Sequence, residues 1–167
     1  AFETNTRTPL AGIAQLETQV DRLQQEVKLY LSRLNRSELS EAEAAGSMNL
    51  MDYAINLEHV GDIIEKGLAE EVRKKVDAGL TFSPDGGREL RELFDITLQS
   101  LRIAQTVVVS HDQNMARQLM ETKERVRHVE RASAENHLLR LQEGRRESLQ
   151  TSSLHLDILR DLKRINA

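Results

Sequence analysis

At 167 residues, 30% of them charged and 39% hydrophobic, the chain has the length of one domain or two small ones, not of a multidomain enzyme. Aromatic residues make up 3%, Pro occurs twice and Trp is absent, which leaves too few strand formers and turn residues for a β-sandwich, a barrel or a doubly wound α/β fold. An all-α protein rich in good helix formers remains. The net charge is −4, and basic residues alternate with acids, as where Glu70-Glu71 precede Arg73-Lys74-Lys75, so no nucleic-acid partner is expected. There is no Cys, and a metal site would have to use carboxylate, imidazole, amide or water ligands. The longest strongly apolar stretch, Ala104 to Val109, falls far short of the ~18 residues of a membrane span. No signal peptide is visible, and the opening without Met is that expected of an excised fragment.

In chain order, Ile13, Leu16, Val20, Leu23, Val27, Tyr30 or Leu31, and Leu34 recur at steps of three and four, a heptad seam along a first long helix. Pro9 suits its opening turn, and Asn35-Arg36-Ser37 breaks it. Ser40 with Glu43 has capping-box spacing and predicts a second helix running to about Val76, stopped by Gly79. The breakers from Thr81 to Gly87 predict a loop. A third helix follows with Leu90, Phe94, Leu101, Ala104 and Val108 on one stripe. His111-Asp112 is read as a turn. A fourth helix spans about Met115 to Leu141, closed by Gly144. A fifth begins near Arg146 and is still periodic at Leu159, Leu162 and Ile165.

Sliding the chain by 105 residues sets 47–62 against 152–167: Ser47, Asp52 and Leu57 meet Ser152, Asp157 and Leu162. Each segment also follows a long heptad-like helix, and the pattern reads as a duplicated helical unit. The expected division is a first repeat over 10–79 with two helices, a linker loop over 80–87, and a second repeat over 88–167 with three. The first repeat then lacks its leading helix. The apolar surface so uncovered predicts a homo-oligomer.

At ~100° per residue, Glu58, Asp62 and Glu65 share one stripe of the second helix. A seam of Leu50, Ala54, Leu57, Gly61, Ile64 and Leu68 runs beside it and is expected to face the bundle. Three carboxylates one turn apart repel one another, and a cation held by oxygen ligands would offset that. Gly61 would let a second helix or a ligand come close. The competing reading makes Glu58 and Asp62 solvated flank residues with Lys66 and Arg73 as counter-charges. His59 is expected at the surface and His155 in a packed position.

Asn56-Leu57-Glu58-His59-Val60-Gly61-Asp62, followed by Ile63-Ile64-Glu65-Lys66, resembles the signature of PhoU domains, an acidic-x-x-x-Asp motif once per three-helix repeat. The run over 27–68 is similar to the variant fused to the C-terminus of bacterial sodium/phosphate cotransporters, and 152–166 is similar to its second repeat. The resemblance implies an all-α pair of three-helix bundles that modulates phosphate uptake at the cytoplasmic face of the bacterial inner membrane. It implies contact with the membrane portion of the transporter, in the same polypeptide, and in some members a transition metal such as iron or zinc on the acidic motif. Glu58 and Asp62 carry the motif here. In the second repeat Lys163 and Ala167 stand at its positions, and Asp157 and Asp161 offer another acidic-x-x-x-Asp spacing about one and a half turns earlier, facing a slightly different way.

No Ser or Cys nucleophile beside a paired base, no glycine-rich phosphate loop and no compact His cluster is visible, so an enzyme is not expected. A carboxylate-bridged metalloenzyme would need Glu-x-x-His pairs, which Glu121–Glu124 and Glu124–His128 do not supply. A free-standing phosphate-signalling regulator and a metal-free structural adaptor are the alternatives to a transporter-fused regulator.

Overall fold

The computed structural model describes residues 5–36 and 38–167. Ser37, where the sequence breaks the first helix, lies outside the described residues. Among the described residues there are helices and turns and no strand, the all-α architecture that the composition dictates.

A 3-10 turn at Thr8–Leu10 with Pro9 at its start leads into α1, Ile13–Leu34. The segment before that turn is strapped to distant residues. Asn5 Nδ2 donates to Leu80 O at 3.3 Å, Arg7 Nε donates to Asp77 Oδ1 at 2.7 Å, and the Lys75 ammonium donates to Asn5 Oδ1. Lys75 is buried, and desolvation holds its pKa below the ordinary lysine value.

The second helix begins with the capping box the sequence announces: Ser40 Oγ accepts from Glu43 N, and Glu43 Oε2 accepts from Ser40 N at 2.9 Å. Helix α2 (Glu41–Asp62) continues through a π-helical segment, Ile63–Leu68, into α3 (Ala69–Asp77). Gly79, at φ 62°, follows the end of α3, a conformation that L side chains disfavour.

Helix α4 (Pro84–Ser110) starts earlier than the run of breakers suggests. Pro84 lies in its first turn, where a missing N–H costs nothing, and Ser83 Oγ caps Gly86 N at 3.2 Å. His111 ends α4 in the left-handed region, and Asp112 caps α5 (Gln113–Gln142). The last predicted helix divides at Thr151 into α6 (Arg146–Gln150) and α7 (Ser152–Ile165), with Thr151 Oγ1 donating to Glu147 O at 2.7 Å.

Helices α4, α5 and α7 pack mutually, and the π segment lies against α7. One core results: Leu90, Leu93 and Ile96 of α4, Val126 of α5, and Leu154, Ile158, Leu159 and Leu162 of α7, joined by Leu68 and Phe82. Helix α1 packs on α2 as a hairpin. One expectation fails in this hairpin. The seam residues Leu50 and Leu57 are 48% and 40% exposed, so only the lower part of that seam, Ile64 and Leu68, packs on the bundle. On α1 the buried residues are Gln24 and Leu31, while Leu16, Leu23 and Tyr30 of the heptad seam are 60–66% exposed. The apolar arc of α1 is wider than one neighbouring helix covers.

Candidate functional site

Glu58, Asp62 and Glu65 are all half-buried, at the rim as the sequence places them. They do not open into one space. Asp62 lines a groove against α7, whereas Glu65 lines another, with Leu10, Ile13 and Arg73. The cause is the π-helical segment that begins at Ile63. Its wider turn shifts the register of everything after Asp62, so a uniform helical ruler over 58–65 misplaces Glu65.

Asp62 is engaged. Lys66 Nζ donates to its Oδ1 at 2.6 Å, and that bond is the main reason its carboxyl lies below the usual range and the Lys66 ammonium above its own. Across the hairpin, Glu17 of α1 lies near Asp62 and faces Asp21 and Glu65. Desolvation first, then these neighbouring charges, push the Glu17 carboxyl up. Among the described residues no three His, Asp or Glu side chains are arranged to hold a metal ion. With an ammonium seated on Asp62 and no third ligand arranged beside it, the donors here do not fit the iron or zinc that the resemblance implies.

The groove at Asp62 holds about 230 Å³ and is lined by His59, Asp62, Ile63, Lys66 and Gly67 on one wall, Glu71 below them, and Arg160, Asp161 and Arg164 of α7 on the other. It brings together Asp62 and Asp161, two candidates read from opposite ends of the sequence. Asp161 is buried at its base, accepting from Arg164 Nη1 at 3.2 Å and from Arg160 Nε at 3.5 Å. It reaches that depth because position 67 has no side chain: a Cβ there would collide with Asp161 Oδ2. Gly61 has no such duty, since a Cβ there would meet only Val20 Cγ1 at 3.8 Å, an ordinary contact. The glycine the backbone needs is thus Gly67. Asp157 lies outside the groove lining and takes Arg160 Nη1 at 2.8 Å. His59 is exposed, as expected.

Sequence reasoning missed the basic half of this groove, although Arg160 and Arg164, four residues apart, share a helix face by spacing alone. It also missed a largely buried polar network in the bundle of α4, α5 and α7. Arg140 forks onto Glu89 with two bonds of 2.9 and 2.8 Å, while Ser133 and Asn136 each donate to Glu89 at 3.1 Å. Burial raises the Glu89 carboxyl, but Arg140 outweighs it and the net direction is down. His137 and His155 stack beside them at 4.4 Å, and burial first, then the charges of His137 and Arg140, push His155 down to about 4. Arg140 Nε is buried without a hydrogen-bond partner, and Glu89, Asn136 and Arg140 line an open cleft of about 560 Å³.

The fold and groove define an all-α bundle in which an acidic helix motif faces a basic helix across a small cleft. Residues 90–167, a little under half of the chain, match the family model of the PhoU domain. Over 156 residues, 93% of its length, the chain is 37% identical to a protein of Salmonella typhimurium strain LT2 named "Putative inorganic phosphate export protein YjbB". The protein of that name from Escherichia coli strain K12 is 35% identical over 155 residues, again 93% of the chain. The chain spans 28–29% of the length of these relatives. No solved structure matches it. No helix among the described residues is long and apolar enough to cross a membrane.

Proposed function

We propose that the chain is a non-catalytic regulatory domain of a phosphate transporter, acting by contact with the transporter's membrane portion at the cytoplasmic face of the inner membrane. The phosphate-related role is supported by the PhoU match and by relatives named for phosphate export. Fusion to a sodium-dependent carrier is the finer reading, in keeping with relatives more than three times the length of this chain.

The observation that carries the contact reading is the uncovered face of the hairpin. Leu16, Leu23 and Tyr30 stand 62%, 60% and 66% exposed along one side of α1, and such a run of large apolar side chains marks an interaction surface. The membrane portion of the transporter supplies the cover. A second copy of this chain is the other reading, favoured by the heptad spacing of the same residues.

Replacing Leu16, Leu23 and Tyr30 together by Gln in the full-length transporter tests this. These side chains contribute little to the fold, so the purified domain keeps its helicity. Phosphate flux in membrane vesicles is expected to lose its response to phosphate supply. Flux and response unchanged by the triple substitution would refute the contact reading. Sedimentation of the wild-type chain at micromolar concentration separates a second copy from a transporter surface.

A further inference from the structure

We propose that the groove between the π-helical turn and α7 binds inorganic phosphate in its hydrogen phosphate form, with Lys66, Arg160 and Arg164 as donors and Asp62 as acceptor of the ligand's proton. The choice of anion rests on the phosphate-related reading above; the groove stands on its geometry.

The cations come from opposite walls, Lys66 from the π segment and Arg160 and Arg164 from α7. Each is engaged by a carboxylate and keeps donors to spare. Asp161 takes one nitrogen of each arginine, and Asp157 takes Nη1 of Arg160. A guanidinium carries five N–H donors in a fixed fork, so each arginine retains several for a ligand. Asp161 is therefore a positioning residue: buried beside Gly67, it fixes both guanidinium groups at the rim before any ligand arrives. Preorganised charged donors of this kind make the short, strong hydrogen bonds that oxyanions favour.

Size and charge agree. About 230 Å³ is roughly the volume of seven or eight waters at ~30 Å³ each, room for a small tetrahedral anion and a partial hydration shell. Glu71 is already satisfied by Lys74 at 2.7 Å. That leaves Lys66, Arg160 and Arg164 facing Asp62 and Asp161. Asp62 is the selective element. A carboxylate in an anion site repels a fully deprotonated ligand such as sulfate, but accepts a hydrogen bond from phosphate, which still carries a proton at neutral pH. An entering phosphate competes with Asp62 for Lys66, and the Glu17 carboxyl of α1 lies close to Asp62. Occupancy is thereby communicated to the hairpin that bears the uncovered seam.

The test is a titration of the isotopically labelled 167-residue chain with potassium phosphate at constant ionic strength, followed by the amide resonance of Gly67 and the guanidinium Nε resonances. Saturable shifts of these groups are expected, with affinity lowered about tenfold or more by Arg164→Gln and by Lys66→Gln. Both side chains are more than half exposed, so the helical spectrum is retained; Arg164→Lys recovers part of the affinity. Potassium sulfate is expected to give no saturable shift. Absence of saturation into the millimolar range, shifts indifferent to both substitutions, or equal binding of sulfate would each overturn the assignment. Phosphate binding together with flux indifferent to the seam substitutions would sink the contact reading and leave the site. Seam-dependent flux without phosphate binding would remove the site alone.

Discussion

The hairpin of α1 and α2 and the bundle of α4, α5 and α7 are built from helices of the same kind, yet they are buried very differently. In the bundle Leu90, Leu93, Ile158, Leu159 and Leu162 are at most 2% exposed. In the hairpin, α1 buries Gln24 and Leu31 and α2 buries Ser47, while Leu16, Leu23, Tyr30, Met48 and Leu50 face solvent. The bundle has three helices, each covering the other two. The hairpin lacks the third. Amphipathic spacing records which side chains need cover and is silent about whether the cover lies within the chain.

The sharpest way to break this comparison is to attack what holds the bundle. Arg140→Ala strands Glu89 in a site where Arg140 supplies two hydrogen bonds and Ser133 and Asn136 the others. Removing one partner of a buried pair costs about 3–5 kcal/mol. Urea denaturation is expected to show that loss, and a loss below about 1 kcal/mol would mean the pair does not anchor the bundle.

Acid gives the next largest effect. His155 titrates at about 4 in the folded chain against 6.5 ordinarily, so between those values the unfolded chain binds the additional proton. Stability therefore falls as pH drops from 6.5 toward 4 and is flat on this account above 6.5. The loss saturates on the order of 3 kcal/mol. Melting temperatures across that range, with His155→Asn as the control that flattens the slope, check it.

The smallest effects sharpen the boundary between the two regions. Gly67→Ala drives a methyl into Asp161 and is expected to destabilise by about 1–3 kcal/mol, as overpacking does. Gly61→Ala, in open surroundings on the hairpin side, is expected to stabilise by up to about 1 kcal/mol through helix propensity. Equal signs for the two substitutions, read from thermal melts, would contradict the close approach at the π turn.

Much of the fold was legible. The Ser40–Glu43 capping box, the stop at Gly79 and the turn at His111 were each carried by local chemistry that tertiary packing left undisturbed. The site was legible in fragments. Asp62 and Asp161 were visible as acids on two similar helices, but their meeting in one groove depends on how the π segment packs on α7, which no local pattern encodes. A uniform helical ruler cannot show the extra residue in the turn after Asp62, so it aligned Glu65 with Glu58 and Asp62 and assigned the close approach to Gly61. Glu89 and Arg140 were invisible for a different reason: 51 residues separate them, and each alone reads as a surface charge.

The strap ahead of α1 has a mechanical consequence. Asn5 and Arg7 are fastened to Leu80, Asp77 and the sequestered Lys75, so the start of the hairpin is clasped to the joint between α3 and α4. A tug on the chain at residue 5 is borne by that joint before it reaches the first turn of α1.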